Sequence, residues 1–243
     1  MSFGLVLALA FELSVQTGPI DRALQATEVP ETFRAAFTVR LNSDNAMREL
    51  RFDPRLEEAS QWQLVSSEGK DDDLDDAVSA WQDETVPDGR LFPGGLRGSL
   101  GNRVDVNDYG KAWRIEFQHI PYFNNDNVDS GFASHIDAAL WMEPRTARVM
   151  RLDYSLPEPV RGPEGVRLVE FEQSFILESD PVWGLSYVSS FAVDIEAEGR
   201  YRRTERDYVA QVTSVEFFFS SPEAEARFKA QRQTGTGPDL AER

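Results

Sequence analysis

The sequence contains no cysteine and only two histidines among its 243 residues. The chain therefore has no disulfide bond, no thiolate metal site and no cysteine nucleophile. The glycine-rich segment 94–98 has neither the Walker spacing nor the dinucleotide spacing and is interpreted as a loop, and no Gly-x-Ser-x-Gly motif is present. We therefore predict a protein that is not an enzyme and that requires no cofactor.

Positive charge is scarce, because 25 Lys and Arg face 42 Asp and Glu, a formal net charge of −17. Such a surface repels nucleic-acid phosphates and anionic lipid headgroups, so we expect neither nucleic-acid binding nor electrostatic docking to a membrane. The one basic segment covers residues 200–206. Its alternation places Arg202, Thr204 and Arg206 on one strand face, which we interpret as a solvated face paired with neighbouring carboxylates.

Long hydrophobic runs are also absent. The longest apolar segment, residues 3–15, has 13 residues including Glu12, whereas a membrane-spanning helix needs about 20. No Lys or Arg precedes Arg22, although residues 8–10 fit the small-x-small pattern of a signal cleavage site. Residues 1–19 are thus a signal remnant or a first helix. We predict a periplasmic location, with the cytoplasm as the alternative, and no transmembrane span.

The rest of the chain shows the two-residue hydrophobic period of half-buried strands. About nine strands follow one another through short polar turns, and most are not separated by the helical crossover that parallel strands require. This pattern predicts a mainly β (α+β) fold: a single curved antiparallel sheet or incomplete barrel of about nine to eleven strands, with a few helices on its concave side. We expect this β domain to cover residues 20–233, followed by a flexible tail at 234–243.

The predicted element bounds follow from the alternation and the turn residues. Strands are predicted at 33–41, 47–52, 61–66, 104–106, 113–119, 136–142, 147–156, 166–177, 185–197 and 201–219. Helices are predicted at 20–26, 77–81 and 223–231. In the last two strands, two sets of apolar residues share parity and are predicted to share a face: Leu185, Tyr187, Phe191, Val193 and Ile195 in one strand, and Val209, Val215, Phe217 and Phe219 in the other.

Three groups of side chains have residue types that bind metal ions: the aspartates of 71–76, the asparagine-rich loop 124–131, and His119, His135 and Asp137. The first group lacks calcium-loop spacing and suits the start of a helix, where carboxylates favour the dipole. The loop has Ser130 and Ile136 where an EF-hand needs glycine and glutamate. The histidines are interpreted as ordinary residues at strand ends. We therefore predict no metal site.

Residues 24–41 form a short helix followed by Phe33, Ala35, Phe37 and Thr38 in the pattern Phe-x-Ala-x-Phe-Thr. This segment resembles the start of the periplasmic outer-membrane lipoprotein carriers of the Lol type. The third strand with Trp62 and the turn 141–149 are similar to that superfamily in order and character. The resemblance implies an incomplete antiparallel barrel, closed on one side by helices, with a hydrophobic concave face that binds lipid or acyl chains.

The resemblance and the 16 Phe, 5 Trp and 6 Tyr predict a non-catalytic, monomeric cell-envelope protein that binds a lipid, an acyl chain or an acylated protein in a half-barrel cavity. The alternative is a packed structural or interaction domain that acts through its acidic surface, because the same aromatic residues can also fill a core. The residues predicted to form the apolar ligand-binding face are Phe33, Phe37, Trp113, Phe117, Phe171 and Tyr187.

Overall fold

A computed structural model describes residues 18–83, 90–93, 96–120, 131–162, 165–199 and 203–233. These residues form one open, antiparallel sheet of eleven strands, which confirms the predicted mainly β fold class. The strands are β1 (Phe33–Asn42), β2 (Ala46–Phe52), β3 (Trp62–Gly69), β4 (Leu100–Asp108), β5 (Trp113–His119), β6 (Asp137–Glu143), β7 (Arg148–Ser155), β8 (Val160–Arg161), β9 (Arg167–Ser179), β10 (Ser186–Glu198) and β11 (Arg203–Phe219).

The strand order is β3-β2-β1-β11-β10-β9-β7-β6-β5-β4, and β8 pairs with β9. The long strand β11 joins the two halves of the sheet, because it pairs with β1 along one edge and with β10 along the other. The edges of the sheet are therefore β3 and β4, which the chain connects through a helical segment. The N-terminal hairpin is thus attached to the C-terminal strand, a pairing between residues far apart in sequence.

The described helices are α1 (Pro19–Gln25), α2 (Asp72–Gln82), α3 (Leu96–Ser99) and α4 (Pro222–Gln233), with 3-10 turns at Glu58–Ser60 and Ala133–His135. The aspartate run starts α2: the Asp71 side chain accepts a hydrogen bond from the Leu74 backbone N–H, and three further aspartates lie in the first turn. Residues 96–98, predicted as loop, lie in α3 instead. None of the helices in the described ranges is long and apolar enough to cross a membrane.

Strand register divides the side chains into a concave face, which carries the helices, and a convex face. On β1 and β2 the concave face is fully apolar apart from one arginine, and α2 packs on β1, β2 and β11. Phe37 lies in the centre of this contact, with ring centroids 5.5 Å from Phe52, 5.7 Å from Trp62 and 6.2 Å from Trp81. A second core lies under α1, which packs on β7.

Two β-bulges reset the alternation that the sequence shows. The ladder shifts between Val188 and Ser190, so Val188 pairs with Leu177 on the concave face and Tyr187 is placed beside Glu178. A second shift opposite Thr38 and Val39 leaves Val209 42% exposed, on the other face from Phe217. The prediction that put Val209 with Phe217 was therefore wrong, because an extra residue inverts every side chain beyond it. The Tyr187 ring lies edge-to-face against Phe217, with the ring centroids 5.1 Å apart.

Candidate functional site

An apolar strip crosses the concave face on β9, β10 and β11. Its side chains are packed against the core on one side but remain partly exposed on the other: Phe175, Phe191, Val212, Val215 and Phe217. The Phe175 and Phe191 rings are stacked, with centroids 4.6 Å apart and an interplanar angle of 29°. We call this set the concave strip.

The concave strip lies between the two helix-covered parts of the sheet. The α2 helix packs on β1, β2 and β11, and α1 packs on β7. Within the described ranges, no helix packs on β9 or β10 to a similar extent. Phe175 and Phe191 are therefore the least covered part of the strip among the residues with a described position, whereas both α2 and α4 pack on β11.

One polar side chain lies within this apolar surface. Gln173 pairs across the sheet with Tyr154 on β7 and Val193 on β10, which places it on the concave face. Its side chain is partly exposed and makes no hydrogen bond to another described residue. A side-chain amide in this position can both donate and accept a hydrogen bond to a polar group on a ligand.

The six residues predicted as the ligand-binding face do not form one surface. Phe33, Phe37, Phe117 and Phe171 are 3%, 2%, 5% and 6% exposed and belong to four different core clusters. Trp113 is half-buried beside the cluster under α1. Burial raises the Tyr187 pKa to about 12, and the hydrogen bond that its hydroxyl donates to Glu178 at 3.0 Å adds to this shift. None of the six is a member of the concave strip, but the rings of Tyr187 and Phe33 contact its member Phe217, with centroids 5.1 Å and 5.4 Å away.

Four donor side chains meet at one end of the concave face, and we call them the donor corner: Trp81, Arg90, Arg206 and Tyr208. The Arg90 guanidinium carbon lies 5.3 Å from the centre of the Trp81 ring. Burial raises the pKa of the Tyr208 hydroxyl, whereas the nearby guanidiniums of Arg90 and Arg206 and the Trp81 indole oppose this shift. Two guanidiniums thus lie near one buried hydroxyl on a strongly acidic chain.

Arg48 is a buried cation on the concave side of β2. It is 6% exposed, and its Nε donates to Asp75 of α2 at 2.8 Å. Its Nη1 donates to the carbonyl oxygens of Met47 at 2.9 Å and Glu68 at 2.7 Å. Arg48 therefore links α2 to the edge of the sheet.

A polar recess of about 170 Å³ lies where β11 runs past the hairpin between β1 and β2. It is lined by the hairpin turn 43–45, the start of α2, and Glu205, Asp207 and Tyr208. The Ser43 hydroxyl donates to Asp71 at 2.5 Å, which lowers the Asp71 pKa. In the described part of the chain, no group of three or more His, Asp or Glu side chains is arranged to hold a metal ion.

The two histidines lie apart from this recess. His119 ends β5 and is 6% exposed, with its ring edge-to-face against Tyr154 at 5.1 Å. His135 ends a 3-10 turn before β6. Nearly all of the asparagine-rich loop, residues 124–130 of 124–131, lies outside the described residues, as do residues 1–17 and the tail 234–243.

Carboxylates crowd the convex face of three adjacent strands. Asp194 on β10 is paired with Glu172 on one side and Asp207 on the other, and the next row joins three glutamates, Glu170, Glu196 and Glu205. Like charges directly opposite each other are unfavourable. Burial and the neighbouring carboxylates raise the Asp194 pKa, and repulsion, first from Asp194, raises the Glu170 pKa. Arg203 partly offsets this charge through an ion pair with Glu196 at 2.9 Å.

We predict that acidification from pH 7 toward pH 4.5, the ordinary pKa of a glutamate, raises the melting temperature. The folded chain binds protons at Asp194 and Glu170 more tightly than the unfolded chain does, so their contribution is largest at low pH and is lost as the pH rises through the raised folded-state pKa values. The pKa values of Asp53 and Asp71 are lowered, so these two groups stabilise the folded chain above their ordinary pKa of 3.8. Their contribution to stability is lost as the pH falls below that value.

Thermal melts of three proteins check this prediction. Asp194→Asn should raise the melting temperature at pH 7 and should show a smaller gain on acidification than the unmodified chain. Glu57→Gln removes one exposed carboxylate outside the convex rows. It should leave unchanged both the melting temperature at pH 7 and the gain in melting temperature on acidification. A melting temperature for Asp194→Asn at or below that of the unmodified chain at pH 7 would contradict the repulsion argument.

The chain matches no protein-family model, no curated protein and no solved structure. The candidate site is therefore defined by geometry alone. Sequence reasoning missed the concave strip, because Phe175 and Phe191 look like any other inward-facing strand residue. It also missed Arg48, although the inward parity of Ala46, Leu50 and Phe52 was a signal that Arg48 faces the core.

Proposed function

We propose that this protein is a non-catalytic binding protein that holds an apolar or lipidic ligand against the concave strip. The observation that carries this proposal is the partial exposure of Phe175, Phe191 and Phe217 on a face that is otherwise covered by helices. Exposed contiguous apolar surface is uncommon on monomeric proteins and marks sites of binding. A concave apolar surface with a few polar groups, here Gln173 and the donor corner, is typical of ligand sites.

The Lol-type resemblance supports the same proposal from a separate direction. It implies an open antiparallel sheet with helices on one side, and the observed sheet has that architecture. A location in the cell envelope, with a lipid, an acyl chain or an acylated protein as ligand, is part of the proposal and depends on that resemblance. The proposal assigns no catalytic residue.

Two neighbouring residues of β9 provide a matched test. Phe175 belongs to the concave strip, whereas Ile176 faces the convex side and is 38% exposed. Burying one phenylalanine side chain against a ligand contributes about 1.5–3 kcal/mol. We therefore expect Phe175→Gln to weaken the binding of a neutral fluorescent alkyl probe by about tenfold or more, while Ile176→Gln leaves it unchanged.

The measurement is fluorescence titration of delipidated protein with the neutral probe and with a fluorescent fatty acid. Thermal melts of both variants establish that they are folded. If the unmodified chain takes up neither probe, the proposed function is wrong and the packed interaction domain becomes the better reading. If the two variants bind the neutral probe equally, the ligand does not lie on the concave strip.

A further inference from the structure

The donor corner lies at one end of the concave strip. Arg206 pairs across the sheet with Ile195, so its side chain starts on the concave face. Tyr208 lies two residues further along the same face, is 9% exposed, and has the Arg206 and Arg90 guanidiniums near its hydroxyl. Arg206 itself is exposed.

From these contacts we propose that the ligand is an amphiphile with an anionic headgroup, of the long-chain carboxylate class, and that the donor corner binds the headgroup. This inference rests on the function proposed above, because it assumes an apolar chain on the concave strip. It adds the chemical class of the ligand and the residues that select it.

The first argument is that Arg206 has no counterion within the described part of the chain. Among the described residues it makes no ion pair, although the chain has far more acids than bases. Arg203 shows the contrast, since it lies on the convex face and pairs with Glu196 at 2.9 Å and Glu205 at 3.6 Å. The predicted pairing of the face of Arg202, Thr204 and Arg206 with neighbouring carboxylates is therefore not found for Arg206 among the described residues, and Arg202 lies outside them. A guanidinium presents a planar pair of donors that matches a carboxylate.

The second argument is a buried donor that lacks a partner. Trp81 is 4% exposed, and its Nε1 makes no hydrogen bond to any described residue. The Tyr208 hydroxyl lies near this indole but outside hydrogen-bonding geometry. Buried donors without partners are rare and unfavourable. A hydroxyl can accept a hydrogen bond from the indole while it donates one to a carboxylate, so a bound headgroup would complete the chain of hydrogen bonds.

The third argument is the path from the headgroup to the strip. Ile195, the cross-strand neighbour of Arg206, is four residues from Phe191 on β10, a distance of about 13 Å along a strand. A long-chain acyl group is long enough to run from the donor corner to the stacked rings of Phe175 and Phe191. Tyr208 also lines the polar recess, whose carboxylates repel a headgroup from the recess itself.

The net charge of −17 does not conflict with this inference. It disfavours docking onto an anionic bilayer, where many charges act together. A single carboxylate at the donor corner interacts mainly with the groups in contact with it, because more distant exposed charges are screened at physiological salt.

The test compares oleate with oleyl alcohol, which have the same unsaturated hydrocarbon chain and differ in the charge of the headgroup. Each displaces the neutral fluorescent probe from the full-length protein. We expect the unmodified chain to bind oleate about tenfold more tightly than oleyl alcohol, the effect of one charge-assisted hydrogen bond. Arg206→Gln should abolish this preference and Tyr208→Phe should reduce it, whereas both should retain binding of oleyl alcohol.

Arg145→Gln is the matched control. Arg145 lies in the turn between β6 and β7 with a side chain 87% exposed, and the same loss of charge there should leave the preference intact. Equal affinity for the two ligands in the unmodified chain, or an unchanged preference in Arg206→Gln, would overturn the anionic-headgroup inference and leave the proposed function standing. Failure of both ligands and of the neutral probe to bind would overturn the proposed function itself.

Discussion

Replacement of Phe37 by alanine is expected to lower the free energy of unfolding by about 3–5 kcal/mol, the range seen for buried phenylalanines. Phe37 is 2% exposed at the centre of β1, and it pairs with Phe52 on β2 and Val215 on β11. Its ring also contacts Trp62 and Trp81, so the truncation removes contacts to both the sheet and α2. A loss of this size is a large part of the 5–15 kcal/mol typical of a whole domain.

Equilibrium unfolding in urea measures this loss. Arg40→Ala is the matched control on the same strand: Arg40 faces the convex side, and its side chain is 44% exposed in an ion pair with Glu49. That change should cost less than about 1 kcal/mol. A cost of the same small size for Phe37→Ala would show that Phe37 lines a hollow and that α2 does not pack tightly on it.

This result bears on the function as well as on stability, because Phe37 is one of the six residues predicted to bind the ligand. A large loss of stability assigns Phe37 to the packed part of the concave face. The paired changes at Phe175 and Ile176 then examine the uncovered part. Together, the unfolding and binding measurements show which aromatic side chains fill the core and which form the ligand-binding surface. The number of aromatic residues alone does not distinguish these two roles.

The fold class could be predicted because hydrophobic alternation reports directly on half-buried strands. β1 was predicted at 33–41 and β5 at 113–119, and the structure places them at Phe33–Asn42 and Trp113–His119. The antiparallel arrangement followed from the short turns. The two-residue strand β8 was not predicted, because Val160 and Arg161 lie in a segment of prolines and glycines and become a strand only through pairing with β9.

The candidate site could not be predicted in the same way. Alternation identifies the inward side of a strand. The exposure of Phe175, however, depends on which strands α1 and α2 pack against. The bulge after Val188 has no signature in composition, yet it sets the pairing of Tyr187 with Glu178. The alternation predicted Arg206 as part of a basic face. Whether Arg206 has an ion pair among the described residues depends on which side chains the neighbouring strand places beside it.

Arg48 is the second residue for which a large effect is expected. Arg48→Met should lower the free energy of unfolding by about 3 kcal/mol. The change removes two hydrogen bonds from a charged donor to the carbonyl oxygens of Met47 and Glu68, and each such bond contributes about 1.5–3 kcal/mol. The methionine side chain packs in place of the aliphatic part of the arginine and so retains that contact. The ion pair with Asp75 contributes less, since the Asp75 side chain is 56% exposed and exposed pairs are weak.

Two further variants separate these contributions in urea unfolding. Arg48→Lys keeps the charge but has a compact ammonium that cannot reproduce the three directions of the guanidinium, so it should fall between the unmodified chain and Arg48→Met. Asp75→Asn keeps an oxygen acceptor for Nε and should cost less than about 1 kcal/mol. If Asp75→Asn proved as damaging as Arg48→Met, the ion pair to α2 would be the main contribution and the carbonyl contacts at the sheet edge would be secondary. An Arg48→Met variant as stable as the unmodified chain would mean that this buried cation is balanced by its own desolvation cost.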